Sequence, residues 1–476
     1  MNDQARYESE GLRYPKFKRH FSEFIGIGDN GHLWVEGCDV VALADAYGTP
    51  LYVISEGQLR HNYRRFRDAF ASRYAESVDI LFANKSNNAL AVRHILNQEG
   101  AGGDAFGLQE MYLALLTGTN AKKLVLNGSN KEPAEIEMAV LNGVCINIDA
   151  MDELDLIDET ANRLKREVDV GIRTKLELKP LENRFGAELH GPGSLAEQGR
   201  NHKWGMPFSQ TVELVKRIQK MPHLHLIELS YHLSRMDNDA DDFAVMAREM
   251  VQWAALLRDA TGWSPRYLDL GGGWTFGRPE KCGPGGADDE STPPFEEYAE
   301  AVCGAVSAEC EARGLTLPGL KIEPGRSIAG NCGVAVGRVG ALKEWPEYDK
   351  KWVNVDLSTN HIPAAAANWY FHILSANKAE APPAQIADIV GPLCTIDLLG
   401  EAREIPKLVR GDLIALIDTG AYSESRAANF NAQLRPATVL VAGAEAEVTT
   451  ERERLSDVVG RFRAPARLLA ESFAAR

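Results

Sequence analysis

The run Asp79-Ile80-Leu81-Phe82-Ala83-Asn84-Lys85-Ser86-Asn87 is apolar over the length of a strand and then stops on a lysine. Taken alone, Lys85 could be a cation where a strand meets solvent. The rest of the chain argues for more, because a polar residue or a glycine closes each comparable run: Asp104, Asn127, Asp149, Arg173, His232, Gly271 and Glu323. The triglycine Gly271-Gly272-Gly273 follows Tyr267-Leu268-Asp269-Leu270 and lets backbone N–H groups come close to an anion, and Arg326 adds a fork of donors. A phosphate fits that cradle. Glu323 ends the run Leu320-Lys321-Ile322, where a buried carboxylate needs a cation; Arg326 would serve, and a protonated ring nitrogen would serve better. A lysine amine that captures an aldehyde, a phosphate cradle, an imidazole that stacks on a ring and a carboxylate for a ring nitrogen together describe a site for pyridoxal 5'-phosphate.

Eight strand-like runs carry these residues, and segments of helical spacing separate them: 88–100, 108–118, 133–143, 151–167, 209–221, 240–262 and 295–314. Eight strand–helix units predict an α/β fold built on a parallel (β/α)8 barrel over residues 50–328, with its chemistry at the carboxyl ends of the strands. Two connections are longer than a barrel needs, 179–206 and 278–294, and length alone leaves them as surface insertions or as walls of the site. After Arg326 the pattern changes to short β-like runs separated by turns, which predicts a mainly β C-terminal domain over 329–476. Residues 1–49 form a lead-in that contributes to that domain.

Composition bounds the partners. The 476 residues are 45% hydrophobic and 25% charged, a globular balance with room for two cores. A net charge of -15 excludes sustained contact with nucleic acid or an anionic membrane and leaves small molecules. Met1 to Glu23 has no apolar core, so it is neither a signal peptide nor a membrane span, and a cytoplasmic protein is expected. Seven cysteines without a CxxC pair argue against a metal site or a disulfide framework.

The motifs, taken in order, resemble the group IV, fold-type III pyridoxal-phosphate decarboxylases, which act on diaminopimelate, ornithine, arginine or carboxynorspermidine. The resemblance runs from Gly48-Thr49-Pro50-Leu51-Tyr52-Val53 through Phe82 to Asn87, Arg184-Phe185-Gly186, Tyr267 to Gly273 and Glu323-Pro324-Gly325-Arg326-Ser327. It continues through Gly391-Pro392-Leu393-Cys394, Asp418-Thr419-Gly420-Ala421-Tyr422 and Asn429-Phe430-Asn431. It implies that Lys85 is the Schiff-base lysine, that His232 stacks on the ring and that Glu323 pairs with the ring nitrogen. It also implies that Gly271, Gly272, Gly273, Gly325, Arg326 and Tyr422 hold the phosphate, with Asp104 supporting the lysine. Cys394 would be the proton donor, reaching into the other subunit's site in a homodimer with shared active sites. The implied reaction is decarboxylation of an amino acid through a quinonoid, with reprotonation at Cα.

Three departures bear on the substrate. His232-Leu233-Ser234-Arg235 replaces the family's His-x-Gly-Ser. Cys394 is followed by Thr395-Ile396-Asp397 in place of an immediate acid, so a reader of the substrate's distal amine is either missing or shifted to Asp397, with Arg326 and Tyr422 as further substrate contacts. Asp356 to Pro363 has no arginine for a distal carboxylate, which weighs against diaminopimelate. Gly31 to Gly37 and Asn368-Trp369-Tyr370-Phe371 resemble the D-ornithine/D-lysine decarboxylase branch, so a D-configured or diamino acid, or another amino acid from a biosynthetic pathway, is expected. An amino-acid racemase of the same fold and a non-catalytic, decarboxylase-like regulator are the competing readings.

Overall fold

In the computed structural model, which describes residues 16–184, 193–233, 239–276, 283–284, 292–367 and 369–469, eight parallel strands close into a barrel. They are Val78–Ala83, Gly102–Ala105, Leu124–Leu126, Cys145–Ile148, Val168–Arg173, Leu224–Ser230, Tyr267–Asp269 and Gly319–Ile322, each ending within two residues of the position expected from the sequence. The seven expected helices are present. Pro133–Asn142 shows why the sequence delimits them so well: proline opens its first turn, Glu132 and Glu135 form a capping box, and Gly143 ends it in the left-handed region. The eighth place in the helical layer belongs to Glu56–Ala71, which precedes the first strand. Phe66 on that helix packs edge-on against Phe295, with ring centroids 5.1 Å apart, and Arg60 binds Glu99 at 2.6 Å.

The strand Leu51–Ser55 is a correction. Placed by the sequence reading at the start of the barrel, it pairs instead with Gly333–Trp345 and Ala437–Ala442 in the C-terminal sheet. The reason lies in its alternation. Leu51 and Val53 enter one core with Val334, Val336, Val439 and Val441, while Tyr52 enters another with Ala335, Val355 and Phe371. Every residue of the strand is buried, so it belongs where two faces can be covered. The C-terminal sheet has nine strands, with Gly333–Trp345 long enough to pair along several of them. The lead-in forms its own four-stranded antiparallel sheet between Arg19 and Asp39; Ile25, Leu33 and Val35 pack into the same core as Val53, and Gly37 N donates to the Gly443 carbonyl at 2.8 Å, so it joins the β domain by packing and loop hydrogen bonds without adding a strand to the larger sheet.

The two long connections differ in what is described. The end of the first lies along the barrel mouth: Lys175 Nζ donates to the carbonyl of His202 at 2.6 Å, and Gly205 N donates to Asp149 Oδ1 at 2.7 Å. Phe185 and Gly186 lie outside the described residues. Of the second, Gly283–Pro284 pairs with Trp369–Tyr370 of the β domain; most of the rest lies outside the described residues, as do Ser234, Arg235 and Asn368. Among the described residues no helix is long and apolar enough to cross a membrane.

The barrel interior is charged as well as apolar. Lys321 on the eighth strand and Glu228 on the sixth form an ion pair across the seventh, and Lys321 Nζ lies 5.1 Å from the centre of the Tyr267 ring. Both side chains are almost wholly buried, so each charge depends on the other. Lys321→Met leaves a buried, uncompensated carboxylate and is expected to lower stability by about 3–5 kcal/mol. Lys321→Met with Glu228→Gln should recover most of that loss, as read by urea unfolding of the three proteins.

Candidate active site

The first strand of the barrel delivers Lys85 on a single turn of 3-10 helix, Asn84–Ser86, at its carboxyl end. The Lys85 side chain is about one-third exposed, and its Nζ donates to Asp104 Oδ2 at 2.6 Å. Burial works against the ammonium form, but the negative charge of Asp104, with Tyr422 and Glu323 behind it, outweighs burial and holds the amine above its ordinary range. The Phe106 ring faces the same ammonium at 4.7 Å and faces Arg173 at 5.7 Å.

From Asp104 a line of hydrogen bonds crosses the barrel. Asn127 Nδ2 donates to Asp104 Oδ1 at 2.9 Å and to Glu323 Oε1 at 2.5 Å, and Asn147 Nδ2 donates to Asn127 Oδ1 at 2.8 Å. Glu323 is 3% exposed. Burial and the nearby Asp104 push its carboxyl up to about 7, against the opposing pull of Lys85 and Arg173. Asp269, fully buried, interacts with Glu323 and is itself raised well above the usual carboxylate range by burial and by the charges of Glu323 and Glu228. Its Oδ1 accepts from Gly271 N at 2.9 Å, which starts the triglycine turn.

That turn is shaped for close approach. Gly271 and Gly273 have φ of +65° and +102°, and a Cβ on Gly272 would come within 2.8 Å of the Glu323 carbonyl oxygen and 3.1 Å of His232 Nε2. His232 therefore lies against the triglycine, with its imidazole beside Gly272. A Cβ on Gly325 would press on Ala83 and Ser86 at 3.1 Å, so the eighth-strand turn sits directly on the Lys85 turn. Arg326 is stacked between two rings, 4.0 Å from the centre of Trp369 and 4.9 Å from that of Tyr422.

The β domain is fastened to this mouth. Tyr422 N donates to Ser86 O at 2.7 Å, Ser425 Oγ donates to Lys85 O at 3.0 Å, and Asn87 Nδ2 donates to Gly420 O at 3.0 Å. Tyr422 adopts φ +59°, unfavourable for a bulky side chain and maintained here by those bonds.

Lys85, Asp104, His232, Gly271 to Gly273, Glu323, Gly325, Arg326 and Tyr422 thus share one mouth of the barrel. Cys394 does not join them. Of the six described cysteines it alone is exposed, and its Sγ donates to Asn431 Oδ1 at 3.4 Å within the β domain. Asp397 is a correction: at 3% exposure, with φ +48°, it accepts from Thr359 N, Thr359 Oγ1 and Leu393 N at 2.7–2.8 Å, so its carboxylate is used to shape the Cys394 turn. Sequence reasoning gave no role to Asn127, Asn147, Asp269, Phe106 or Trp369. Asn127 was visible as a polar strand end, and Asp269 as the one charged residue inside the apolar stretch before the triglycine.

The donor set fits pyridoxal phosphate. It offers an amine with a carboxylate partner, a carboxyl of near-neutral proton affinity on the far side, and a stretch of backbone where side chains cannot intrude, with a guanidinium nearby. A family model described as pyridoxal-dependent decarboxylase, pyridoxal binding domain, matches residues 56–330. The chain is 32% identical to the diaminopimelate decarboxylase of Methanothermobacter thermautotrophicus, over 94% of this chain and 99% of that one, and 29% identical to that of Bacillus subtilis, over 90% and 95%. The crystal structure of diaminopimelate decarboxylase from M. jannaschii with L-lysine matches at a TM-score of 0.84 and 29% identity, covering 93% of this chain and 98% of that one. These relatives carry the diaminopimelate name and not that of the D-ornithine/D-lysine branch expected from Gly31 to Gly37 and Asn368 to Phe371. With its family model matched over more than half its length and its relatives aligned nearly end to end, the chain belongs to the pyridoxal-phosphate-dependent decarboxylases of the diaminopimelate/ornithine family.

Proposed function

We propose that the chain removes the α-carboxylate of a diamino acid as carbon dioxide, and that its substrate ends in a bare amine, as D-lysine and D-ornithine do. The observation that carries the reaction is the hydrogen-bonded line from Lys85 through Asp104 and Asn127 to Glu323, which sets an amine and an acid at opposite ends of one space beside the triglycine. When bound, pyridoxal phosphate supplies an aldehyde carbon for amines and a ring that takes up the electron pair released at Cα.

Lys85 would hold the cofactor through its amine, and Asp104, which accepts from Lys85 Nζ at 2.6 Å, would keep a proton at that nitrogen. Glu323, with Asp269 behind it, holds a proton at the ring nitrogen; a carboxyl near neutral proton affinity is well matched to that task. Gly271, Gly272, Gly273, Gly325, Arg326 and Tyr422 would hold the phosphate, and His232, whose imidazole lies beside Gly272, would stack on the ring. The rings of Phe106 and Trp204, which face Arg173, form part of an aromatic wall at this mouth and limit water near the departing carboxylate. Cys394 returns a proton to Cα from the partner subunit of a homodimer. Its turn also exposes Ile396, at 86%, and Phe430 lies 51% exposed next to Asn431, an apolar surface suited to a second copy of the chain.

The bare-amine end rests on residues 356–363, which contain no arginine. Diaminopimelate is the second reading, favoured by the names of the relatives. Carbon dioxide release from D-lysine, D-ornithine, diaminopimelate and the corresponding L-amino acids tests both. Gas from the D-diamino acids above that from diaminopimelate is the expected result; racemisation without gas would overturn the decarboxylase. Lys85→Ala is expected to abolish both turnover and the visible absorbance of the reconstituted protein. Mixing inactive Lys85→Ala and Cys394→Ala proteins should restore activity if sites are shared, and no recovery would count against the shared homodimer.

In cofactor-free protein, Glu323 keeps its proton up to about pH 7 when folded, against an ordinary value of 4.5. The folded chain therefore binds the extra proton within that window, and stability should fall as pH rises through it, by on the order of 3 kcal/mol. Urea unfolding on either side of the window should show this slope in the parent and a flatter one in Glu323→Gln.

A further inference from the structure

Asn127 is 1% exposed and stands just past the third barrel strand, between the two functional carboxylates. Its amide has two hydrogens, and the two donations to Asp104 and Glu323 use both. The donation from Asn147 to Asn127 Oδ1 fixes which way the amide faces, because the opposite orientation would set two donors against each other and an oxygen against two carboxylates. Asn147 is buried to the same degree, and Gly171, beside its side chain, has no Cβ to displace it. The amide is therefore held from behind and presents only donors to the site.

We infer that Asn127 is a positioning residue that keeps Asp104 and Glu323 as two separate anions, one for the lysine nitrogen and one for the ring nitrogen. The inference rests on the cofactor reading above. Without the shared donor, the two carboxylates face each other with less stabilisation of their charge, and each holds its partner's proton more tightly. The charged and titratable groups facing the pair are Lys85, Tyr422 from the β domain, Glu110 from the Leu108–Leu116 helix, Arg173 from the fifth strand and Asp269 from the seventh.

The test uses full-length protein reconstituted with pyridoxal phosphate, as the parent, Asn127→Leu and Asn147→Ala. Leucine keeps the branch of asparagine at Cγ and removes both donors; because it is bulkier, Asn147→Ala, which adds no volume, controls for packing. The midpoint of the pH-dependent visible absorbance should move up by about one unit in Asn127→Leu, given the strength of hydrogen bonds to charged groups. In the same variant kcat should fall about tenfold with KM nearly unchanged, the pattern of a group that acts after binding. Asn147→Ala touches neither carboxylate; it should shift the midpoint in the same direction by less, and it decides the matter if Asn127→Leu does not fold. An unmoved or lowered midpoint in the folded variants overturns the role. A parent that develops no visible band, like Lys85→Ala, would instead overturn the cofactor reading itself.

Discussion

Buried charge is the constraint on which the rest of this structure depends. Lys85, Asp104, Asp269 and Glu323 converge inside a closed barrel, with Glu228 and Lys321 in the same interior, and a charge out of water must meet a partner or give up its ionisation. Each solution here differs. Lys85 and Asp104 meet as ions, as do Lys321 and Glu228, while Asp269 and Glu323 face one another and shift toward the protonated form. Asn127 and Asn147 supply neutral donors where no cation fits. Only a closed barrel brings its first, second, third, fourth, sixth, seventh and eighth strands near enough for these groups to pair.

The same constraint explains why two domains are fastened at one place. The turn that presents Lys85 has no long helix to hold it, only three residues of 3-10 geometry. Its main-chain carbonyls are taken by Tyr422 and Ser425 from the β domain, and the strained backbone at Tyr422 persists because the bond to Ser86 holds it. A barrel without the β domain would leave that turn with fewer partners and Arg326 without its Tyr422 face. Catalytic geometry in this chain is a property of the joint.

Much of the barrel was legible because a polar residue interrupting an apolar run marks a strand end, and proline, serine and glycine mark helix ends. The eight strands and seven helices follow from those signals. Leu51–Ser55 escaped because a fully buried strand has the same residues whichever sheet it joins: alternation identifies a strand but not its partner. Asp397 was misread for a related reason. A carboxylate three residues after an exposed cysteine reads as a free ligand, and only the left-handed turn at φ +48° shows it folded back on Thr359 and Leu393. Asn127 and Asn147 lie twenty residues apart and each resembles an ordinary strand-end or strand-interior amide; their pairing exists only after the barrel closes. Cys394 could be told from six other cysteines by its motif, while its exposure belongs to the fold.

Within the barrel the two ion pairs cancel, Lys85 against Asp104 and Lys321 against Glu228. What remains unmatched is the carboxyl pair Asp269 and Glu323. Burial pushes both carboxyls up, Glu323 to about 7 with Asp104 adding to the effect, and Asp269 with the charges of Glu323 and Glu228 adding to it. Glu323 is also the member of the pair that Asn127 reaches. Glu323 stands just past the carboxyl end of the eighth strand, beside the triglycine turn. A protonated ring nitrogen is a partner that would offset the buried negative charge there.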